Sequence, residues 1–399
     1  MTKPMENLLP AVRLPHVAAT RTATGAAFNV INEDTFATAR AEITSWQGYE
    51  PTPLVSLSGI AARIDVADIY YKDEGPRFGI ASFKALGGAY AALRVLQQEI
   101  SSATGETVSL ADIRNGKYAS ACAGITLVSA TDGNHGRSLS WGCQRFGAPC
   151  RIFIHSEVSE GRAEVMRGFG ADVVRIDGDY DESVRMAKDE ADKHGWFVVS
   201  DTSWPGYTDP PTDVMAGYGV MTDEIHAVLS QAPTHVFLQG GVGGLAAGVA
   251  ASLKQIWQDQ SPRVVVVEPE LAPCLFESAL AGKMTTVSID DETIMAGLSC
   301  GEPSPIAWNI LSDEGQDYLT IPDTLVAPTV RMLARADAGD PPIESGESAV
   351  AGLAALIVAR QDAALSEKLA LNNASRVLLI GSEGVTDQDI FDRIMAEEI

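Results

Sequence analysis

Between residues 125 and 199 the sequence alternates between short apolar runs and amphipathic stretches, and this alternation constrains the fold more than any other feature. Residues 125–130, 150–154, 172–176 and 196–199 read as strands. Residues 134–146, 159–169 and 180–193 read as helices, each with a glycine just past its end, at Gly147, Gly170 and Gly195. Glycine in that place is the expected helix stop, because it enters the left-handed conformation without a side-chain penalty. Strands separated by helices must run parallel, since the chain returns to the same end of the sheet between them. Residues 122–200 are therefore predicted as a small α/β domain.

A second alternation follows it. Residues 218–229, 243–257 and 350–365 carry helical patterns, and 235–239, 263–268 and 376–380 read as strands. Val264–Val267 is an unbroken apolar run, as a strand covered on both faces requires. Upstream, 69–72 reads as a strand and 82–98 as a helix, while the first 45 or so residues have weak periodicity and read as an irregular arm. The predicted fold class is α/β with two lobes, each a mainly parallel sheet flanked by helices. Residues 1–121 with 201–399 form the larger lobe and 122–200 the smaller. A ligand is expected in the cleft between them, near the C-terminal ends of strands.

Composition narrows the partners. The 399 residues carry a net charge of −24, which argues against nucleic acid or an anionic membrane as partner. No apolar run approaches the ~20 residues that span a bilayer, and Met1-Thr-Lys-Pro-Met-Glu has no apolar segment behind a basic start. The five cysteines are odd in number and form no CxxC pair, so neither a disulfide framework nor a metal site is expected. A cytoplasmic location follows as the expectation.

Three segments carry chemistry. Gln239-Gly-Gly-Val-Gly-Gly-Leu245 joins an apolar strand to a helix, where backbone N–H groups and the helix N-terminus can hold an anion. Its spacing is not the GxGxxG of a dinucleotide fold, and no GxxxxGK[ST] occurs, so one phosphate is the simpler ligand. Ala81-Ser-Phe-Lys84-Ala-Leu-Gly-Gly-Ala-Tyr90 places a lysine in an apolar stretch, where desolvation favours the neutral, nucleophilic amine. Ser129-Ala-Thr-Asp132-Gly-Asn134-His135-Gly136 turns a strand into a helix. Each has a plain structural explanation when taken singly: a tight turn, a surface lysine, a helix cap.

In this order and at these separations, the three segments resemble the fold-type II pyridoxal-phosphate (PLP) enzymes, the tryptophan synthase β-like group. The resemblance runs from Pro51 to Asp387. It implies that Lys84 carries PLP as a Schiff base, with Phe83 and Asn134 beside the ring. Gly240, Gly241, Val242, Gly243 and Gly244 would bind the phosphate, and Ser382, in Gly381-Ser-Glu-Gly384, would face the pyridine nitrogen. A neutral hydroxyl there suits β-elimination better than transamination.

Two departures from the dehydratases of the group, Asp132 in place of serine and F-K-A-L-G-G-A-Y in place of F-K-x-R-G-A, look like its diaminopropionate ammonia-lyase branch. So do Lys72-Asp-Glu-Gly-Pro-Arg-Phe-Gly79, Asp201-Thr-Ser-Trp-Pro-Gly-Tyr207 and Met215-Ala-Gly-Tyr-Gly219. That branch implies elimination of 2,3-diaminopropionate, D or L, to pyruvate and two ammonia. Lys84 and Asp132 would be bases on opposite faces, and Asp201 would hold the substrate's ammonium. The partner expected is a small amino-acid substrate, and the assembly a homodimer. His135 reads as structural, and Lys72, Asp73 and Arg77 are candidates to shape the loop before Lys84, with no chemical role assigned. A dehydratase acting on serine, threonine or hydroxyaspartate is the alternative within the group, and a non-catalytic metabolite-binding protein the alternative outside it.

Overall fold

The computed structural model describes residues 8–131, 133–178 and 180–399. Among them the strands are β1 (His16–Ala18), β2 (Leu54–Ser56), β3 (Asp68–Asp73), β4 (Leu127–Ala130), β5 (Cys150–Ile154), β6 (Asp172–Arg175), β7 (Phe197–Val198), β8 (His235–Gln239), β9 (Arg263–Pro269), β10 (Gly315–Ile321) and β11 (Arg376–Gly381). The helices used below are α1 (Lys84–Thr104), α2 (Asn134–Phe146), α3 (Tyr180–His194), α4 (Asp209–Val228), α5 (Gly244–Trp257) and α6 (Ala351–Gln361). The chain divides into two compact units. One takes the chain up to Glu33 with Pro51–Ala81 and Met221–Ile399, and the other takes Asp34–Glu50 with Ser82–Val220.

The first unit is built on a seven-stranded sheet ordered β1-β10-β9-β8-β11-β3-β2. Its five inner strands run parallel and the outer two antiparallel. Val264–Val267 of β9 and Val236–Leu238 of β8 are fully buried, as the unbroken apolar runs require. α6 is buried along nearly all of its length and α5 from Gly244 to Leu253, and both cover the sheet. β10, at an inner position, was not anticipated. Its polar Asp317 is buried against His16 and Arg263, with Arg263 Nε donating to Asp317 Oδ2 at 2.6 Å, so the strand lacks the apolar pattern of its neighbours. The arm also holds more helix than its periodicity suggested, with Glu33–Ile43 helical. The stretch 350–365 is broken at Asp362, whose carboxylate accepts from Ala364 N–H at 2.9 Å and Leu365 N–H at 3.1 Å and so caps a new helix.

The second unit holds the four-stranded parallel sheet β6-β5-β4-β7. Gly147, Gly170 and Gly195 all stand at positive φ (74°, 87° and 67°), as their helix-stop role demands. The unit is larger than residues 122–200. It takes in Asp34–Glu50 and the lysine-bearing α1, which the sequence reading had placed with the larger lobe. The reason is packing without side chains in the way. A Cβ on Gly142 of α2 would stand 2.7 Å from Ala89 Cα, and one on Gly88 would stand 2.6 Å from Ser138 Oγ. Glycine costs a helix about 1 kcal/mol relative to alanine, and close approach of two helices is what that cost supports here.

The chain reaches α1 through a clamped segment of the first unit. Arg77 is buried and donates from Nε to Glu74 Oε2, from Nη1 to Glu224 Oε1 and from Nη2 to Thr52 Oγ1, at 2.8–2.9 Å. Lys72 Nζ donates to Glu224 and to the Thr52 carbonyl. Lys72 and Arg77 of the Lys72–Gly79 motif thus shape the loop before Lys84, the task expected of them. The clamp holds a turn in which Phe78, Gly79 and Ala81 all adopt left-handed backbone, at φ 50°, 71° and 57°. Two of these are not glycines, and such residues persist only where their surroundings over-determine them.

Candidate active site

In the first unit, parallel β8, β11 and β3 bring their C-terminal ends to one side. Gln239 at the end of β8 donates from Nε2 to the Ile380 carbonyl at 2.6 Å, and the Gly381 carbonyl accepts from Glu74 N–H at 2.9 Å. The glycine loop therefore follows the strand beside the one that Ser382 follows, and Ser382 is buried. Gly384 N–H donates to the Ala81 carbonyl at 3.0 Å, so the segment entering α1 is tied beside Ser382.

The loop itself is shaped by close quarters. Gly241 and Gly243 stand at φ 66° and 94°, and a Cβ on Gly240 would lie 2.4 Å from Glu268 Cγ. Gly243 is the N-cap of α5 and, as glycine, brings no side-chain cap. The first N–H groups of a helix have no partner within it. A glycine cup ending on an uncapped helix start is therefore a fit for one phosphate. Glu268 lies behind the loop and accepts from Leu275 N–H at 3.0 Å and Phe276 N–H at 2.7 Å. Burial outweighs these bonds and pushes its carboxyl up to about 8, so it adds no full negative charge beside a bound anion.

In the second unit, Lys84 opens α1 and forms an ion pair with Asp201, three residues past β7. Their side chains are 18% and 14% exposed. The Lys84 Nζ also stands 5.7 Å from the centre of the Phe83 ring. Burial alone would raise the Asp201 carboxyl, but the Lys84 ammonium, with His135 and hydrogen bonds, holds it well below the ordinary carboxylate range. Ser138 of α2 donates to the Lys84 carbonyl at 2.6 Å and accepts from Ala89 N–H at 3.1 Å, which locks the start of α1 against α2.

Asn134 is the first residue of α2, directly after the turn that leaves β4. The Thr131 hydroxyl closes that turn by accepting from Gly133 N–H and Gly136 N–H at 3.0 and 3.2 Å. Asp132 lies outside the described residues. His135 is buried. Its Nε2–H donates to the Val199 carbonyl at 2.8 Å, and its Nδ1 stands 3.9 Å from Asp201 Oδ2. Desolvation, set against the pull of Asp201, lowers the imidazole below its ordinary value, so it is neutral near pH 7. Lys84, Phe83, Asn134 and Asp201 thus belong to one unit, and the glycine loop and Ser382 to the other. Sequence reasoning passed over Glu268 and Tyr218, although Tyr218 lies within a motif it singled out.

The arrangement matches known proteins. Residues 45–383 match the family described as pyridoxal-phosphate dependent enzyme. The chain is 38% identical over 356 residues, 88% of each chain, to diaminopropionate ammonia-lyase of Escherichia coli K12. Among solved structures it resembles the Escherichia coli diaminopropionate ammonia-lyase in complex with an aminoacrylate-PLP azomethine reaction intermediate, with a TM-score of 0.84, 32% identity and 97% of both chains covered. The same enzyme in complex with D-serine gives a TM-score of 0.85 at 34% identity, again over 97% of both chains.

Proposed function

This chain belongs to the pyridoxal-phosphate dependent enzyme family, on its diaminopropionate ammonia-lyase branch, and from that premise we propose how its residues divide the work of eliminating ammonia from 2,3-diaminopropionate. The observation that carries the division is the Lys84–Asp201 pair: a lysine at a helix start, shielded from solvent beside a carboxylate that stays anionic. Bound PLP supplies an electron-withdrawing ring that acidifies the substrate's Cα–H.

Lys84 would hold the cofactor, with Phe83 and Asn134 beside its ring. The backbone of Gly240, Gly241, Val242, Gly243 and Gly244, with the N-terminus of α5, would hold the phosphate, and Ser382 the pyridine nitrogen. The glycine cup and the near-neutral Glu268 behind it support the phosphate assignment. Once free, the Lys84 amine takes the Cα proton from one face, and the Asp132 carboxylate takes it from the other. Two bases would let one site use both enantiomers. Asp201 holds the substrate's β-ammonium, a fit between an anionic group and a cationic leaving group that a serine hydroxyl would not offer. The products are pyruvate and two ammonia.

Purified protein is incubated with D- and L-diaminopropionate, serine and threonine, and pyruvate is measured. Release from diaminopropionate is expected, and release from the hydroxy amino acids alone would favour the dehydratase reading. Lys84→Ala should lose the visible cofactor absorbance that borohydride bleaches in the parent. Asp132→Asn should lose D-substrate turnover and keep most of the L-substrate turnover, and equal loss on both would overturn the two-base division.

We also infer a homodimer in the cytoplasm. Among the described residues no helix is long and apolar enough to cross a membrane. In the first unit Leu271, Leu280 and Met284 are exposed, apolar side chains of the kind that a self-contact would cover. Light scattering of the purified chain tests it.

A further inference from the structure

Two motifs meet inside the second unit through residues that the reaction as described leaves without a task. F-K-A-L-G-G-A-Y contributes Gly87, and Met215-Ala-Gly-Tyr-Gly219 contributes Tyr218. A Cβ on Gly87 would stand 2.6 Å from Tyr218 Cε1 and 2.8 Å from the Val214 carbonyl oxygen, so only glycine leaves room for the phenol ring. Tyr218 is 1% exposed, and its ring lies 4.6 Å, centre to centre, from that of Phe83. Its hydroxyl has no hydrogen-bond partner among the described residues. A buried hydroxyl without a partner destabilises a fold, so one kept beside a functional lysine points to a ligand that completes it.

The surroundings indicate which ligand. The niche already accommodates a primary ammonium, that of Lys84, against the Asp201 carboxylate and the Phe83 ring. Burial pushes the Tyr218 phenol up, Lys84 lowers it and Asp201 raises it, and it remains protonated throughout the neutral range. A neutral phenol can both accept from an N–H and donate to a lone pair.

We propose that Tyr218 is a catalytic residue of this elimination: its hydroxyl accepts a hydrogen bond from the β-ammonium of diaminopropionate, alongside the Asp201 carboxylate, and donates one to the ammonia as it departs. The inference rests on the reading of Lys84 and Asp201 given under Proposed function. In the step, the Cα–H bond breaks and its electron pair forms the Cα–Cβ double bond. The Cβ–N bond breaks and nitrogen keeps that pair. The β-ammonium therefore leaves as neutral ammonia with its own three hydrogens, the Cα proton stays on the base, and no outside acid is consumed. Nitrogen changes from donor to acceptor during this step, and the phenol can follow the change where a carboxylate cannot.

The experiment compares holoenzyme with Tyr218→Phe. It measures kcat/KM for both diaminopropionate enantiomers by pyruvate release, the Kd for D-serine by the change in cofactor absorbance, and the melting temperature. The expected result is a fall in kcat/KM of roughly ten- to a hundredfold. The D-serine Kd should stay within about threefold, and the variant should melt no lower than the parent. A kcat/KM that changes less than about twofold overturns the proposal and leaves the reading of Lys84 and Asp201 standing. An equal loss of D-serine affinity also overturns it, because the damage would not be specific to the β-nitrogen. A parent enzyme that releases pyruvate from serine but not from diaminopropionate overturns the underlying reading, and the proposal with it.

Discussion

Glu268 shows how much a single buried group can impose on pH behaviour. Its carboxyl is pushed up to about 8 in the fold, against about 4.3 in an unfolded chain. Between those values the unfolded state gives up a proton that the folded state keeps, so unfolding becomes easier as pH rises through that window. Above about 8 both states are ionised and the loss levels off. Glu268→Gln is permanently neutral and should melt with a flatter profile between pH 5 and 8 than the parent, read by thermal denaturation in matched buffers. Asp201 presents the opposite case, an acid held low by a cation. Asp201→Asn keeps the shape and removes the charge, which should lower kcat/KM for diaminopropionate about a hundredfold while the cofactor still binds, as read by its absorbance. Neither property of these residues was legible in the sequence. Glu268 reads there as the last residue of an apolar strand, and the partner of Asp201 lies more than a hundred positions away.

The elements themselves were largely legible. α2 and β5 lie where glycine stops and apolar periodicity put them, because their own residues carry both boundaries. Much of what escaped was decided elsewhere in the chain, though the start of α4 was not. β10 depends on His16 and Arg263 to bury Asp317. α4 begins at Asp209, nine residues before its apolar pattern, because Pro210 and Pro211 occupy a first turn whose N–H groups need no partner. The crossing of α1 and α4 is likewise invisible until the two helices are side by side. A Cβ on Gly217 of α4 would stand 2.3 Å from the Leu86 carbonyl oxygen, a backbone atom that cannot swing away. Gly217→Ala should therefore push the two helices apart and cost on the order of 1–3 kcal/mol. Denaturant unfolding measures the loss, and a stability equal to the parent would show that the helices have room to give.

At the scale of the whole molecule, the dominant fact is a net charge of −24. Like charges spread over a compact chain oppose folding, and salt screens them within about 10 Å at 0.1 M. The melting temperature should rise between low salt and about 0.5 M sodium chloride, and a fall would mean that the surface ion pairs outweigh the repulsion. The alternation that announced two parallel sheets was readable from the start, but the division of the chain was not. Asp34–Glu50 and α1 join the smaller sheet through glycine-mediated helix contacts, which no local pattern encodes.

The two ends of the seven-stranded sheet have a consequence for behaviour in a crowded solution. β1 and β2 are three residues each and run against the grain of their neighbours. A long, flat parallel edge invites a foreign strand to add on, whereas a short antiparallel selvage gives it little to grip. β1 shields the buried, seven-residue β10, pairing through His16, Val17 and Ala18. Cut back beyond Ala18, the chain would show β10 as a raw hem, and the expected outcome is a folded enzyme that slowly clots.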